Sequence, residues 1–220
     1  MEPVSTGPLA LRADARLNRE RILIAARDAF VERGADVPLE EIATRAGVGI
    51  ATLYRRFPDR QSLQRAVALD VLSRIAEEAR AAIDEEPNAF SALTRYMRRA
   101  LTIQVSAVVP ALLGAVELED EVFQGIRMES ASLLQQMINR AKAEGTLRPG
   151  IAFGDIALLL VRLSRPLPGP IDRSLDMEMA QRHLTVLIDG LRIERATGDL
   201  PGVELTLDTL RSLPREPVDA

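Results

Sequence analysis

Residues 39–60 read LEEIATRAGVGIATLYRRFPDR. Leu39, Ile42, Ala43 and Ala46 recur at i, i+3, i+4 and i+7, the spacing of one helix face. Gly47-Val48-Gly49 interrupts that pattern. In the pattern that follows, Leu53 and Phe57 are four apart and point one way. Thr52, Tyr54, Arg55 and Arg56 are left largely for the other faces. Pro58 stops this second helix, because a proline pushes the residue before it out of the helical region. A short helix, a glycine turn and a second helix with a polar, cationic outer face is the sequence form of a helix-turn-helix, a DNA-reading unit.

Upstream, Ile22, Ala26, Ala29 and Phe30 share one face of a first helix over about 15–34, with Arg19, Glu20, Arg27, Asp28 and Glu32 off it. Asp14 is placed to cap that helix and Gly34 to end it. Its stripe would pack over Ile42 and Leu53 and close a three-helix unit, 15–58. Residues 1–14 hold Pro3, Gly7 and Pro8 without periodicity and read as a mobile arm. Pro38 suits the first turn of the second helix. Gly49 stands at the N-cap of the third and brings no side-chain oxygen, and Asp59 is a cap for the helix beyond Pro58.

With AFVERG at 29–34, EEIATRAGVGIATLYRRFPDR at 40–60 and a long helix to follow, the chain resembles the tetracycline-repressor (TetR) family of bacterial transcriptional regulators. The likeness is specific over about 19–65, above all in A-G-V-x-x-x-T-L-Y-x-x-F from Ala46 to Phe57. Beyond Arg65 it rests on length and an all-helical pattern. The resemblance implies that Thr52 and Tyr54 contact bases or phosphates and that Arg56 and Arg60 contact phosphates. Ile50 and Ala51 would face the groove floor, and Arg19 would add a contact from the first helix. Two departures stand out. Pro38 and Gly49 occupy positions where the family often has Ser or Thr, and Ile50 one that is often polar. Ile50 could make only apolar contact, such as with a thymine methyl.

The residues support that reading without the family. A phosphate backbone rewards cations and hydroxyls at groove-edge spacing, and a helix N-terminus adds its dipole. Thr52, Tyr54, Arg55, Arg56 and Arg60 supply them. The plainer alternative is a solvated helix face, which applies most to Arg55 beside the Leu53/Phe57 side. Formal net charge is −4, but residues 1–65 carry +2 and the rest −6. Between Arg45 and Arg65, five Arg face Asp59 alone, a local density suited to phosphate.

Composition excludes much else. With no Cys and one His among 220 residues, thiolate and His-cluster metal sites are ruled out, and a Ser-His-Asp arrangement is improbable. There is no Gly-rich phosphate loop and no metal-ligand spacing, so neither an enzyme nor a cofactor is expected. Glu117-Leu118-Glu119-Asp120-Glu121 reads as a solvated helix junction. No signal-peptide run opens the chain, and Ile156–Val161 is far too short to span a bilayer. A cytoplasmic protein is expected.

Apolar spacing then predicts helices over about 60–83, 90–108, 110–118, 122–145, 153–163 and 174–195, with breaks at Glu86-Pro87-Asn88, Thr146–Gly150 and RPLPGP (165–170). The whole is an all-α fold of about nine helices. Residues 59–196 form a larger ligand-binding and dimerisation domain, and 197–220 a tail with room for one short helix. Tyr96, Met97, Gln104, Phe123, Met128 and Met137 are candidates to line a pocket for a small-molecule effector, adaptable Met suiting a permissive one. The plainer alternative for any one of them is that it simply fills the core. Gln104 interrupts an apolar face, and its amide needs a partner. Phe153–Leu163 lacks a clean polar face, more than one subunit would readily cover. The resemblance implies that it and 174–195, carrying His183, pair two subunits in a four-helix bundle; an internal core helix is the alternative. The leading expectation is a homodimeric, ligand-responsive repressor on a palindromic DNA operator. A helix-turn-helix regulator controlled by a protein partner, and a helical small-molecule carrier with no DNA role, are the alternatives.

Overall fold

The computed structural model describes residues 8–112 and 120–212, with side chains for 14–110, 112 and 120–210. Among the described residues ten α-helices run in order: α1 Pro8–Arg33, α2 Leu39–Ala46, α3 Ile50–Arg56, α4 Arg60–Glu85, α5 Ala89–Ile103, α6 Val105–Leu112, α7 Glu121–Ala143, α8 Phe153–Leu163, α9 Arg173–Gly190 and α10 Leu207–Ser212. Among the described residues there is no strand, and Leu147 and Arg192 form an isolated antiparallel bridge.

The chain divides into two compact units, one running through Val71 and taking in Val108–Gln124, the other holding Leu72–Ala107 and the residues from Gly125 onward. The first unit therefore runs past residue 58 into α4. The reason is that the first turns of α4 belong to the N-terminal core: Leu63, Val67 and Val71 are buried. Arg60 Nη1 and Gln64 Nε2 of the same turns donate to the Ala35 carbonyl in the α1–α2 loop, at 3.1 and 2.8 Å.

In the first unit the stripes behave as spaced. Ile22, Ala26, Ala29 and Phe30 of α1 are buried, as are Leu39, Ile42, Ala43 and Ala46 of α2 and Leu53 of α3. Two ion pairs brace α1 on α2, Arg45 to Glu32 at 2.6 Å and Arg33 to Glu41 at 2.5 Å, and Arg45 also meets Glu41 within α2 at 2.7 Å. Gly47 ends α2 at φ 66°, left-handed backbone that glycine adopts without a Cβ clash, and the Val48 N–H closes on the Ala43 carbonyl. Asp59 caps α4 as expected: its Oδ1 accepts from the Ser62 N–H at 2.7 Å.

Several expectations change here. The arm of 1–14 is too long: α1 begins at Pro8, so Asp14 lies inside the helix instead of capping it, and residues 1–7 lie outside the described residues. Pro at a first helical position loses no bonded N–H, and Leu9-Ala10-Leu11-Arg12-Ala13 are good helix formers. Pro38 is the N-cap residue of α2 and not part of its first turn. The helix over 90–108 breaks at Gln104, whose φ of 62° ends α5, and Pro110 lies inside α6 where it was expected to begin a new helix. Most of the expected 110–118 helix lies outside the described residues.

In the second unit α5 packs on α8 and α9, around Phe90, Leu93, Met97, Ile156, Leu160, Leu184 and Ile188, all buried. Asn88 caps α5 by accepting from the Ser91 N–H at 2.8 Å. The last long helix ends at Gly190, short of 195, because the chain turns to bond Thr146 and Arg148 through Ile193 N–H and the Leu191 carbonyl. The described part of 197–220 holds a short helix, α10, where one had room, and is bonded to the rest of the second unit. The Gly154 N–H donates to the Leu205 carbonyl at 2.6 Å, Arg148 to the Gly198 carbonyl at 2.7 Å, and Lys142 pairs with Glu204 at 2.9 Å. Residues 213–220 lie outside the described residues.

Candidate nucleic-acid interface

The α3 helix is short, and burial of Leu53 with Phe57 just beyond it fixes which side faces out. Ile50 (37% exposed), Ala51, Tyr54 (44%), Arg55 and Arg56 are exposed, with Thr52 half-buried. Neither α2 nor α3 has a side-chain N-cap bond, as Pro38 and Gly49 imply. Arg55 Nη2 donates to Thr52 Oγ1 at 3.0 Å, so these two candidates form one polar group on the helix surface. Arg19 is exposed on α1.

The basic density counted between Arg45 and Arg65 is largely committed within the protein. Arg45 is held by Glu32 and Glu41, and Arg65 by Asp120. The Asp120 carboxyl is held below its ordinary value by Arg65 and by the Phe123 N–H, which it also caps. Arg60 donates to the Ala35 carbonyl and, at 2.5 Å, to that of Val37. It is thereby a positioning residue that ties the start of α4 to the α1–α2 loop. Gln64, buried at 4% exposure, does the same and was not anticipated; its one sequence cue was a polar residue beside Leu63. Arg55 and Arg56 remain as the cations of the exposed α3 face.

Comparison with known proteins bears on this geometry. The family model described as bacterial regulatory proteins, tetR family, matches residues 22–67, and the SbtR-like transcriptional regulator C-terminal domain matches 88–193. A TetR transcription regulatory protein from Mycobacterium vanbaalenii is 35% identical, with 83% of this chain and 99% of that one covered at a TM-score of 0.55. The chain belongs to the TetR family. It is a helix-turn-helix transcriptional regulator, not an enzyme. A TetR regulator from Streptomyces coelicolor is 30% identical over 79% of this chain and 98% of its own, with a TM-score of 0.54. An uncharacterised HTH-type regulator from Mycobacterium bovis is 28% identical over 77% of this chain and 92% of its own. LfrR from Mycobacterium smegmatis, solved in complex with proflavine, shares the fold at 23% identity and a TM-score of 0.55, covering 77% of this chain and 95% of its own.

TetR-family membership directs attention to the six pocket candidates, whose surroundings differ. Met97, Met137 and, in the first unit, Phe123 are buried at 0–1% exposure. Tyr96 is buried against Ser130, and desolvation pushes its phenol up to about 12 despite that hydrogen bond. The buried amide of Gln104 has a partner within the chain, its Oε1 accepting from Arg173 Nη2 at 2.9 Å. Met128 is 46% exposed and lines a surface cavity of about 510 Å³ with Ser132 and Gln136. On α8, Phe153, Ala157, Leu158, Leu159, Val161 and Leu163 are half-buried, and on α9 Leu175 is 50% and Val186 67% exposed. His183 is exposed on α9. No metal-ligating cluster and no helix long and apolar enough to cross a membrane occurs among the described residues.

Proposed function

We propose that the protein is a ligand-responsive repressor, acting in the cytoplasm as a homodimer on a palindromic operator. The observation that carries the DNA part is α3. Leu53 and Phe57 lock it from behind, and Ile50, Ala51, Thr52, Tyr54, Arg55 and Arg56 are presented together. Arg55 and Arg56 would hold phosphates, Thr52 and Tyr54 bases or phosphates, and Ile50 and Ala51 apolar base edges. Arg19 would add a contact from α1, and Arg60 acts by placing α4.

Pairing through α8 and α9 is supported by their half-buried and exposed apolar side chains, which a second copy would cover. Two α3 helices would then reach successive major grooves, about 34–36 Å apart. Response to a small molecule is supported by kinship of fold with LfrR, solved with proflavine bound. Footprinting on the DNA upstream of the protein's own gene tests the reading. Two protected half-sites related by a dyad are expected. Failure to protect that DNA, with no site selected from a random pool, would overturn it.

A further inference from the structure

A cleft of about 690 Å³ opens in the second unit beside α5, within the size range of small-molecule sites. Its walls carry Arg95, Arg98, Arg99 and Arg192 against Glu78 and Glu86, a formal surplus of +2. The chain after residue 65 carries −6, so this is a cationic hollow in an acidic region.

The four arginines are not equivalent. Arg95 bonds Glu78 at 2.7 Å and Glu85 at 2.8 Å and reaches Glu86 at 3.3 Å, so its charge is compensated within the fold. Arg99 is 3.9 Å from the already engaged Glu78. Among the described residues no carboxylate stands within ion-pair distance of Arg98 or Arg192. Both are nevertheless held in place. Arg98 Nη1 donates to Thr185 Oγ1 at 3.1 Å, and the Arg192 guanidinium lies 4.5 Å over the Phe90 ring centroid. Cations fixed before a ligand arrives lose less side-chain freedom on binding it. Guanidinium forks match the paired oxygens of carboxylates and phosphates, and the hydroxyl of Thr94 and the amide of Gln181 line the same hollow.

We propose that Arg98, Arg99 and Arg192 make this cleft a binding site for a small multivalent anion, carboxylated or phosphorylated. The site deepens the effector reading above and rests on it only where DNA release is concerned. Titration calorimetry on the full chain without DNA, at low salt, would use inorganic pyrophosphate, citrate and acetate. Saturable binding of one pyrophosphate or citrate per chain is expected, with none for monovalent acetate; which of the two binds more tightly separates phosphate from carboxylate chemistry. Arg98→Ala, Arg99→Ala and Arg192→Ala should each weaken it about tenfold or more. Arg16→Ala, an exposed arginine on α1, should leave it unchanged. Should Arg192→Ala unfold through loss of its contact with Phe90, Arg99→Ala still decides. Absence of saturable heat with both multivalent anions, or equal weakening by Arg16→Ala, would overturn the site. An anion that binds the cleft yet leaves operator affinity unchanged would keep the site and remove the effector reading.

Discussion

Arg60 and Arg56 stand four residues apart around Pro58, and a sequence comparison would give both to phosphate. Their surroundings differ, and Ala substitution tests whether their work does. Arg60 Nη1 donates to the Ala35 and Val37 carbonyls at 3.1 and 2.5 Å. A hydrogen bond from a charged group contributes about 1.5–3 kcal/mol when buried. Arg60 is half-buried and one donor is shared between two carbonyls, so about 2 kcal/mol is the reasonable loss for Arg60→Ala. For a chain of this size that lowers Tm by roughly 4–8 °C. Arg56 is exposed on α3, and Arg56→Ala should leave Tm within about 1 °C, since surface substitutions change stability little. In DNA binding the order reverses. Followed by fluorescence anisotropy over a salt series, Arg56→Ala should weaken binding about equally on all sequences and flatten the log–log salt slope by about one. Arg60→Ala should keep the wild-type slope. An Arg60→Ala protein that melts with wild type and loses a unit of slope would refute the assignment.

Gly154→Ala would set a Cβ 2.6 Å from both the Cβ and the carbonyl oxygen of Leu205. Overpacking and the lost bond together cost about 2–4 kcal/mol, and limited proteolysis should cut faster within 198–206 while Tm falls; unchanged cleavage would argue against the contact. Val186→Glu places a charge on a 67% exposed apolar position of α9; sedimentation should show a dimer for wild type and a monomer for the variant, and a variant that sediments as wild type does would remove α9 from the proposed pairing. The Asp120 carboxyl is held below its ordinary value first by Arg65. Its contribution to stability is therefore complete above the unfolded value near 3.9 and lost as pH falls through the lower folded one. Carboxyl NMR of Arg65→Ala should show Asp120 titrating closer to that ordinary value, and an unmoved titration would sink the pairing.

The helix-turn-helix was legible because its information is local. Leu39 to Ala46 and Leu53 to Phe57 are stripes spanning one or two turns of a short helix, and Gly47 punctuates where only a short turn fits. What escaped the reading depends on residues far apart in the chain. A count of five arginines from 45 to 65 could not register that Glu32 and Asp120 had claimed two of them, at separations of 13 and 55 residues. The break at Gln104 had no cue, since left-handed backbone is ordinarily announced by Gly or Asn. Nor could spacing join Arg98 to Arg192 across one cleft. The start of α1 was obscured differently: Gly7 and Pro8 signal a loop, yet Pro8 opens the helix.

The bond from Gly154 to Leu205 also sets an order of events during synthesis. α8 leaves the ribosome with an open notch at Gly154, and its cover arrives about fifty residues later, after α9. At 5–20 residues per second that is a delay of roughly 3–10 s. In that interval the Gly154 N–H lacks its partner at Leu205 and the notch on α8 stands open to water, so the second unit completes its packing only after synthesis has passed α9.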